Sequence, residues 1–291
     1  MRIGICTTDF STMPAQELFA RIANMGFACV QFSFASVSEA DFEARPALEI
    51  PPRIEASTVS LVERAVKKSG LPIAAVNGTF NTAHPDAEVR AEGVRRFALL
   101  ADAVRELGCP VISLCTGTRS RSSLWQGHPD NLTPEAWADA LDTVKRLCAI
   151  AEARGLTLAV ETEASNVVCT PERARRMLDE AASPVLKMIL DPANLFLPGT
   201  AKPENAAGSL EAAFSAFGRD IVIAHGKDIR AGDGIDFCGT GLGIVDFDLM
   251  LRLLAGCGFR GDWLLHGIYD EKDMPRALAF ARDALARSPL G

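Results

Sequence analysis

The sequence predicts an α/β protein, a single (β/α)8 TIM barrel, and three observations carry that prediction. Eight short β-type apolar runs recur along the 291 residues, and a helix-period stretch follows each of them. Several runs are continuously apolar rather than alternating, as in Leu156-Thr157-Leu158-Ala159-Val160 and Ile221-Val222-Ile223-Ala224. Such runs suit parallel strands covered on both faces. Eight strands alternating with helices in a chain this short favour a closed barrel over an open doubly wound sheet.

The strands are expected near residues 2–6, 27–33, 72–77, 110–115, 156–161, 186–191, 221–225 and 262–266. Between them the helices carry their own signals. Trp137, Leu141, Val144, Cys148 and Ala151 recur at steps of four and three, which makes one apolar stripe. Thr133-Pro134-Glu135 ahead of it supplies a cap, a pre-set first turn and an acid at the positive helix end. Thr170-Pro171-Glu172 repeats the device before Ala174, Met177, Leu178 and Ala181. Gly108, Gly155 and Gly258 mark exits from helices into the next strands. Two stretches, 34–53 and 116–132, exceed an ordinary strand-to-helix loop. The second holds Arg119, Arg121, Trp125 and His128 and reads as a lid over the site. With no Pro/Ser-rich linker or break in composition, residues 1–291 read as one domain.

Composition narrows the function classes. Apolar residues make up 48% and charged residues 23%, enough for a sizeable core and unlike a disordered chain. A net charge of -7 argues against a nucleic-acid partner, whose phosphates call for a basic surface. The 8 cysteines include no CxxC pair and mostly sit in apolar runs, so they read as reduced buried thiols. No apolar run approaches the roughly 20 residues of a membrane span, and the N-terminus lacks signal-peptide features, so no membrane partner and a cytoplasmic location are expected.

In a barrel the reactive side chains come from the C-terminal ends of the strands. Here the fifth strand ends at Glu161, the sixth at Asp191, the seventh at His225 and the eighth at His266. Four potential metal ligands at four successive strand ends point into one bowl. Carboxylates with imidazoles suit Mn²⁺, Co²⁺ or Zn²⁺ rather than Mg²⁺, which prefers oxygen. The segment Gly239-Thr240-Gly241-Leu242-Gly243 lacks the spacing of a dinucleotide loop and reads as a turn in preference to a phosphate site.

These residues carry a family resemblance. Val160-Glu161, Asp191-Pro192-Ala193-Asn194 and Ala224-His225-Gly226-Lys227-Asp228 resemble the xylose-isomerase-like barrel superfamily, and within it the sugar phosphate isomerase/epimerase group, also called AP endonuclease family 2. Gly239-Thr240-Gly241, Val245-Asp246-Phe247 and Gly258-Phe259-Arg260-Gly261 extend the match along the chain. The resemblance implies a divalent metal held by Glu161, Asp191 and His225, and carbohydrate metabolism as the setting. At the fourth position many members have Glu where this chain has His266. Epimerases of the superfamily use two Glu, one on each face of the substrate carbon, so the symmetric two-carboxylate arrangement is altered here.

The expected function is a metal-dependent sugar isomerase or epimerase that abstracts a proton next to the carbonyl of a small keto-sugar-like substrate. Glu161 is the candidate base. His266 is expected to return the proton as well as bind metal, and Lys227 to neutralise oxyanion charge. Asn77, Asn81, Trp125, His128, Glu163, Asn166 and Asn194 are candidate contacts to sugar hydroxyls or faces. Two alternatives stand beside this reading: an inosose dehydratase-like lyase, and a barrel that binds carbohydrate without turning it over. A DNA-repair nuclease of the same superfamily is disfavoured, because the chain has only 4 histidines and places Asn194 where a further one is expected. Barrels of this kind commonly associate, so a homodimer or homotetramer is expected.

Overall fold

The computed structural model describes residues 1–40 and 48–291. The expected strands are β1 (Ile3–Cys6), β2 (Val30–Phe32), β3 (Ile73–Asn77), β4 (Val111–Cys115), β5 (Thr157–Glu161), β6 (Leu186–Leu190), β7 (Ile221–His225) and β10 (Asp262–Leu265). They close in the order β1-β10-β7-β6-β5-β4-β3-β2. Every pairing in the ring is parallel, as at Leu114↔Val160 and Trp263↔Ala224. The helices around it are α1 (Ala15–Met25), α2 (Ala56–Ser69), α3 (Ala87–Glu106), α4 (Pro134–Glu152), α5 (Pro171–Ala181), α6 (Ala206–Phe217), α7 (Phe247–Gly256) and α8 (Met274–Ala286). None is long and apolar enough to cross a membrane among the described residues.

The local signals act as the sequence expects. Thr133 accepts a hydrogen bond from the Ala136 amide and Thr170 one from the Arg173 amide, so both helices start on a satisfied donor. Trp137, Val144, Cys148 and Ala151 of α4 are buried against the barrel, with Leu141 at the edge of the stripe. Gly108, Gly155 and Gly258 all have left-handed φ near +70°, at 70°, 67° and 73°, which only glycine adopts without steric cost. Small residues fill the barrel's interior: Cys6, Cys29, Ala74, Ala75 and Ala159 pack with Ile189, Ile223 and Leu264. Larger side chains fill the layer between strands and helices. The interior leaves no room at Gly4, where a Cβ would lie 2.5 Å from the Cys29 carbonyl oxygen. The cysteines are all free thiols; burial pushes Cys29 up to about 12, so it stays protonated.

One element escapes the sequence pattern. Between β7 and α7, β8 (Asp228–Ile229) and β9 (Phe237–Cys238) form a small antiparallel hairpin, too short to show periodicity. Its anchor is the Asp228 carboxylate, which accepts hydrogen bonds from the amides of Ile229, Gly241, Gly243 and Val245. The Gly241 and Gly243 amides of the Gly239–Gly243 turn are therefore engaged by an internal anion. This fits the turn reading, and it also separates Asp228 from Lys227, whose partners lie in the barrel mouth.

The 116–132 stretch is strapped to the barrel top. Asn81 accepts from the Thr118 amide and donates back to its carbonyl at 2.8 Å, while Asn166 accepts from the Gly117 amide at 2.6 Å. Asn131 accepts from both the Thr118 hydroxyl and the Arg119 amide. The expected lid is thus a braced loop with Trp125 at its tip. Of the 34–53 stretch, residues 41–47 lie outside the described residues.

Candidate metal centre and active site

Glu161, Asp191 and His225 end three adjacent strands of the ring or directly follow them, so all three stand at the same end of the barrel. All three are buried, and their candidate ligand atoms lie within 4.8 Å of one another. Nδ1 of His225 stands 3.4 Å from Asp191 Oδ2 and 3.6 Å from Glu161 Oε2. Two acidic oxygens and one imidazole nitrogen, buried and convergent, form a donor set that fits a borderline divalent cation.

The surrounding hydrogen bonds aim these donors. Asp191 Oδ1 accepts from the amides of Ala193 and Asn194, which leaves Oδ2 facing the cluster. The Asn194 side-chain amide donates to Glu161 Oε1, which leaves Oε2. His225 Nε2 lies 3.0 Å from the Gln31 side-chain oxygen. Donation of Nε2–H to Gln31 turns Nδ1 toward the Asp191 and Glu161 carboxylates, the usual second layer of a metal site. Burial disfavours charge on His225, yet Glu161 and Asp191 overcome it and raise its pKa to about 9. The same carboxylates that would hold a cation hold a proton on the imidazole without one.

Lys227 completes the network. Its Nζ donates to Asn194 Oδ1 at 2.7 Å and pairs with Asp191 Oδ2 at 3.2 Å. Burial opposes the ammonium charge, but Asp191, Glu161 and Glu163 hold its pKa well above the usual value. In turn, burial opposes the Asp191 carboxylate, while Lys227 and His225 keep it well below the ordinary range. The acid that Lys227 pairs with is Asp191, while the adjacent Asp228 carboxylate anchors the β8–β9 hairpin.

His266 has a different setting from the other three expected ligands. It lies outside the three-residue cluster, with its ring centroid 5.6 Å from that of His225. The cause is Asp9, which follows β1 and accepts from His266 Nδ1 at 2.9 Å, while its other oxygen accepts from the Ile268 amide. Among the described residues Nε2 has no hydrogen-bond partner. A carboxylate on Nδ1 orients an imidazole and leaves Nε2 turned away from it, a geometry that suits acid/base work at Nε2.

Two cavities lie beside these groups and share part of their lining. The inner one, of about 190 Å³, is lined by Gln31, Ser33, Asn77, Glu161, His225 and His266 among others. The outer one, of about 850 Å³, shares Thr8, Trp125 and His266 with it. Among the expected sugar contacts, Asn77 and Trp125 reach the inner cavity, Glu163 lines the outer one and Asn194 braces Glu161 and Lys227. Asn81 and Asn166 do not reach either cavity, because their amides hold the loop described above. His128 does not either: its Nδ1 caps a short turn by accepting from the Asp130 amide.

Sequence reading missed three residues. Asp9 sits just past the first strand end, a position that the strand-end rule covers. Gln31 is a lone amide in the apolar run Cys29-Val30-Gln31-Phe32, a signal of inward polarity. Glu49 gave no signal; it lies in a long loop, and it accepts from Trp125 Nε1 at 2.9 Å and Asn77 Nδ2 at 3.3 Å. Burial raises its pKa against those two bonds.

The profile of the xylose isomerase-like TIM barrel family matches residues 19–286. The chain belongs to that family. Solved structures with the same fold include a 3-keto-D-glucoside 4-epimerase from E. coli, at 18% identity and TM-score 0.70 over 97% of this chain and 99% of that one. A D-tagatose 3-epimerase-like protein has 18% identity and TM-score 0.75, covering 98% and 97%. The D-psicose 3-epimerase of Clostridium cellulolyticum H10, solved with D-tagatose, has 16% identity and TM-score 0.71, covering 98% and 99%. None of the curated proteins compared gives a significant match.

Proposed function

We propose that the protein is a metal-dependent isomerase or epimerase of a keto-sugar, acting by proton transfer at the carbon next to the carbonyl. One observation carries the reading: Glu161 of the metal cluster and the Asp9-braced His266 both line the inner cavity. Strands β5 and β1 are diametrically opposed in the ring of eight, so the base and the brace of the acid come from facing sides. The names of the structural neighbours, which include 3-epimerases and a 4-epimerase of keto-sugars, support the substrate class.

Glu161 takes the proton from the substrate carbon, with Asn194 holding the carboxylate in aim. A divalent ion such as Mn²⁺, Co²⁺ or Zn²⁺, held by Glu161, Asp191 and His225, supplies Lewis-acid stabilisation of negative charge on the substrate oxygens. Lys227 places a fixed positive charge beside the same oxygens. His266 delivers a proton from Nε2, with Asp9 on Nδ1 holding the ring in aim. Asn77 and Glu49 offer a donor and acceptor pair to sugar hydroxyls. The acid/base pair is one carboxylate and one imidazole, in place of the two carboxylates that the family resemblance implies.

The same feature favours a second reading, loss of water from the substrate, since an imidazolium is a competent acid for a departing hydroxyl. Incubation of the Mn²⁺-loaded protein with a panel of ketoses in D₂O separates the two. Deuterium incorporation with retention of water supports the isomerase, and loss of water supports the lyase. Absence of both with every ketose would refute the catalytic reading.

A further inference from the structure

Glu49 lines the inner cavity together with Glu161 and His266, although it comes from a loop and not from a strand end. Resting on the function proposed above, we infer that Glu49 is a specificity-determining residue: its two carboxylate oxygens accept hydrogen bonds from neighbouring hydroxyls of the sugar, and the site rejects sugars that lack them. The long loop that carries Glu49 is fixed on both sides of it. Leu48 bridges Phe80, the Glu49 amide donates to the Thr79 carbonyl at 3.2 Å, and Nη1 of Arg96 donates to the Ile50 carbonyl at 3.0 Å. Arg96 is a buried guanidinium, itself held by Glu92 at 2.7 Å. A buried charge on α3 thus holds the backbone next to Glu49 in place.

The side chain is aimed from two sides. Trp125 Nε1 donates to Oε1 at 2.9 Å, and Asn77 Nδ2 donates to Oε2 at 3.3 Å. Asn77 is not free to turn its amide over, because its Oδ1 already accepts from the Thr79 amide at 3.1 Å. Both donors are neutral, and no lysine or arginine pairs with Glu49 among the described residues. Burial accordingly pushes the Glu49 pKa up against those two bonds. A neutral acceptor would tie Trp125 to Asn77 at less cost, so bracing alone does not account for a carboxylate here. What the carboxylate adds is acceptor capacity. It offers about four acceptor positions; Trp125 and Asn77 take one on each oxygen, and about one on each remains. Two hydroxyls on adjacent carbons match that pair, and Trp125, which lines the same cavity, sets an aromatic ring beside them. A missing hydroxyl leaves a largely desolvated oxygen without its partner, the situation in which a site discriminates most strongly.

Calorimetric titration of the Mn²⁺-loaded protein with D-fructose, D-tagatose and D-psicose, and then with the monodeoxy series of the tightest of them, tests the assignment in wild type and Glu49→Gln. Deletion of either of two adjacent hydroxyls is expected to weaken binding to the wild type by about tenfold or more, and binding to Glu49→Gln by about twofold or less. The variant should keep its Mn²⁺ affinity within about twofold and its thermal midpoint at or above that of the wild type, because an amide is less costly to bury than a carboxylate without a cation. A structural brace would behave otherwise: the midpoint would fall and every analogue would lose affinity alike. That pattern, equal sensitivity to each deoxy position in the two proteins, or binding of none of the ketoses would overturn the inference. Solvent exchange into the ketoses is read separately. Coupling between Glu49 and a hydroxyl pair without exchange supports the grip while removing the catalytic reading, and exchange without such coupling defeats the grip alone.

Discussion

The two halves of the barrel mouth are built on different plans. On the β5–β6–β7 side, Glu161, Asp191, His225 and Lys227 are buried and cross-braced by Asn194 and Gln31. On the β10–β1 side, His266 hangs on one carboxylate, and its side chain is 31% exposed where that of His225 is 1% exposed. The first arrangement suits fixed charges that must not move, because buried ions are tolerated only when paired and hydrogen-bonded. The second suits a group that exchanges protons with substrate and solvent. The proposed division of labour, fixed charge against proton delivery, thus falls between neighbouring strands, with the His225 and His266 rings 5.6 Å apart.

Breaking the braced side should have the largest effect. Asp191→Ala leaves Lys227 buried beside fewer acids, and a loss of about 3–5 kcal/mol is expected in denaturant unfolding, together with loss of metal binding. On the other side, His266→Gln should lower solvent exchange by about 10²–10⁴-fold while Mn²⁺ affinity stays within about twofold. A parallel fall in Mn²⁺ affinity would place His266 among the ligands after all. Gln31→Leu frees the tautomer of His225 and is expected to weaken Mn²⁺ binding by about 10–100-fold without abolishing it.

The smallest expected effect sharpens the comparison through pH. His225 has its pKa raised to about 9, so the metal-free protein carries a proton there at neutral pH that a cation must expel. Mn²⁺ affinity should therefore rise by up to about tenfold per pH unit on approaching 9 and level off above it. Calorimetry in two buffers of different ionisation enthalpy measures the released proton. Affinity independent of pH between 6 and 9 would contradict the raised pKa, with the buffers spanning about that interval.

Much of this organisation is legible in the sequence, for physical reasons. Parallel strands covered on both faces must be apolar throughout, so each of the ring's strands announces itself, and the residue that ends an apolar run is the one at the mouth. Glu161, Asp191 and His225 were found that way. For His266 the same rule gives the residue's position at the mouth but not which neighbour takes its ring nitrogen. Asp9, distant in sequence, decides that. Asn81, Asn166 and His128, expected as sugar contacts, hold loops instead of lining the two cavities: polar residues near strand ends serve both uses, and only the hydrogen-bond partners distinguish them. The β8–β9 hairpin and Glu49 leave no periodic trace, although they shape the outer wall and the loop contact at the rim.

Nitrogen coordination in the Mn²⁺-loaded protein, read by pulsed electron paramagnetic resonance, tests the division of labour most directly. A single imidazole that vanishes in His225→Gln and persists in His266→Gln is the predicted result. Two imidazoles on the ion, or a signal lost with His266, would contradict it.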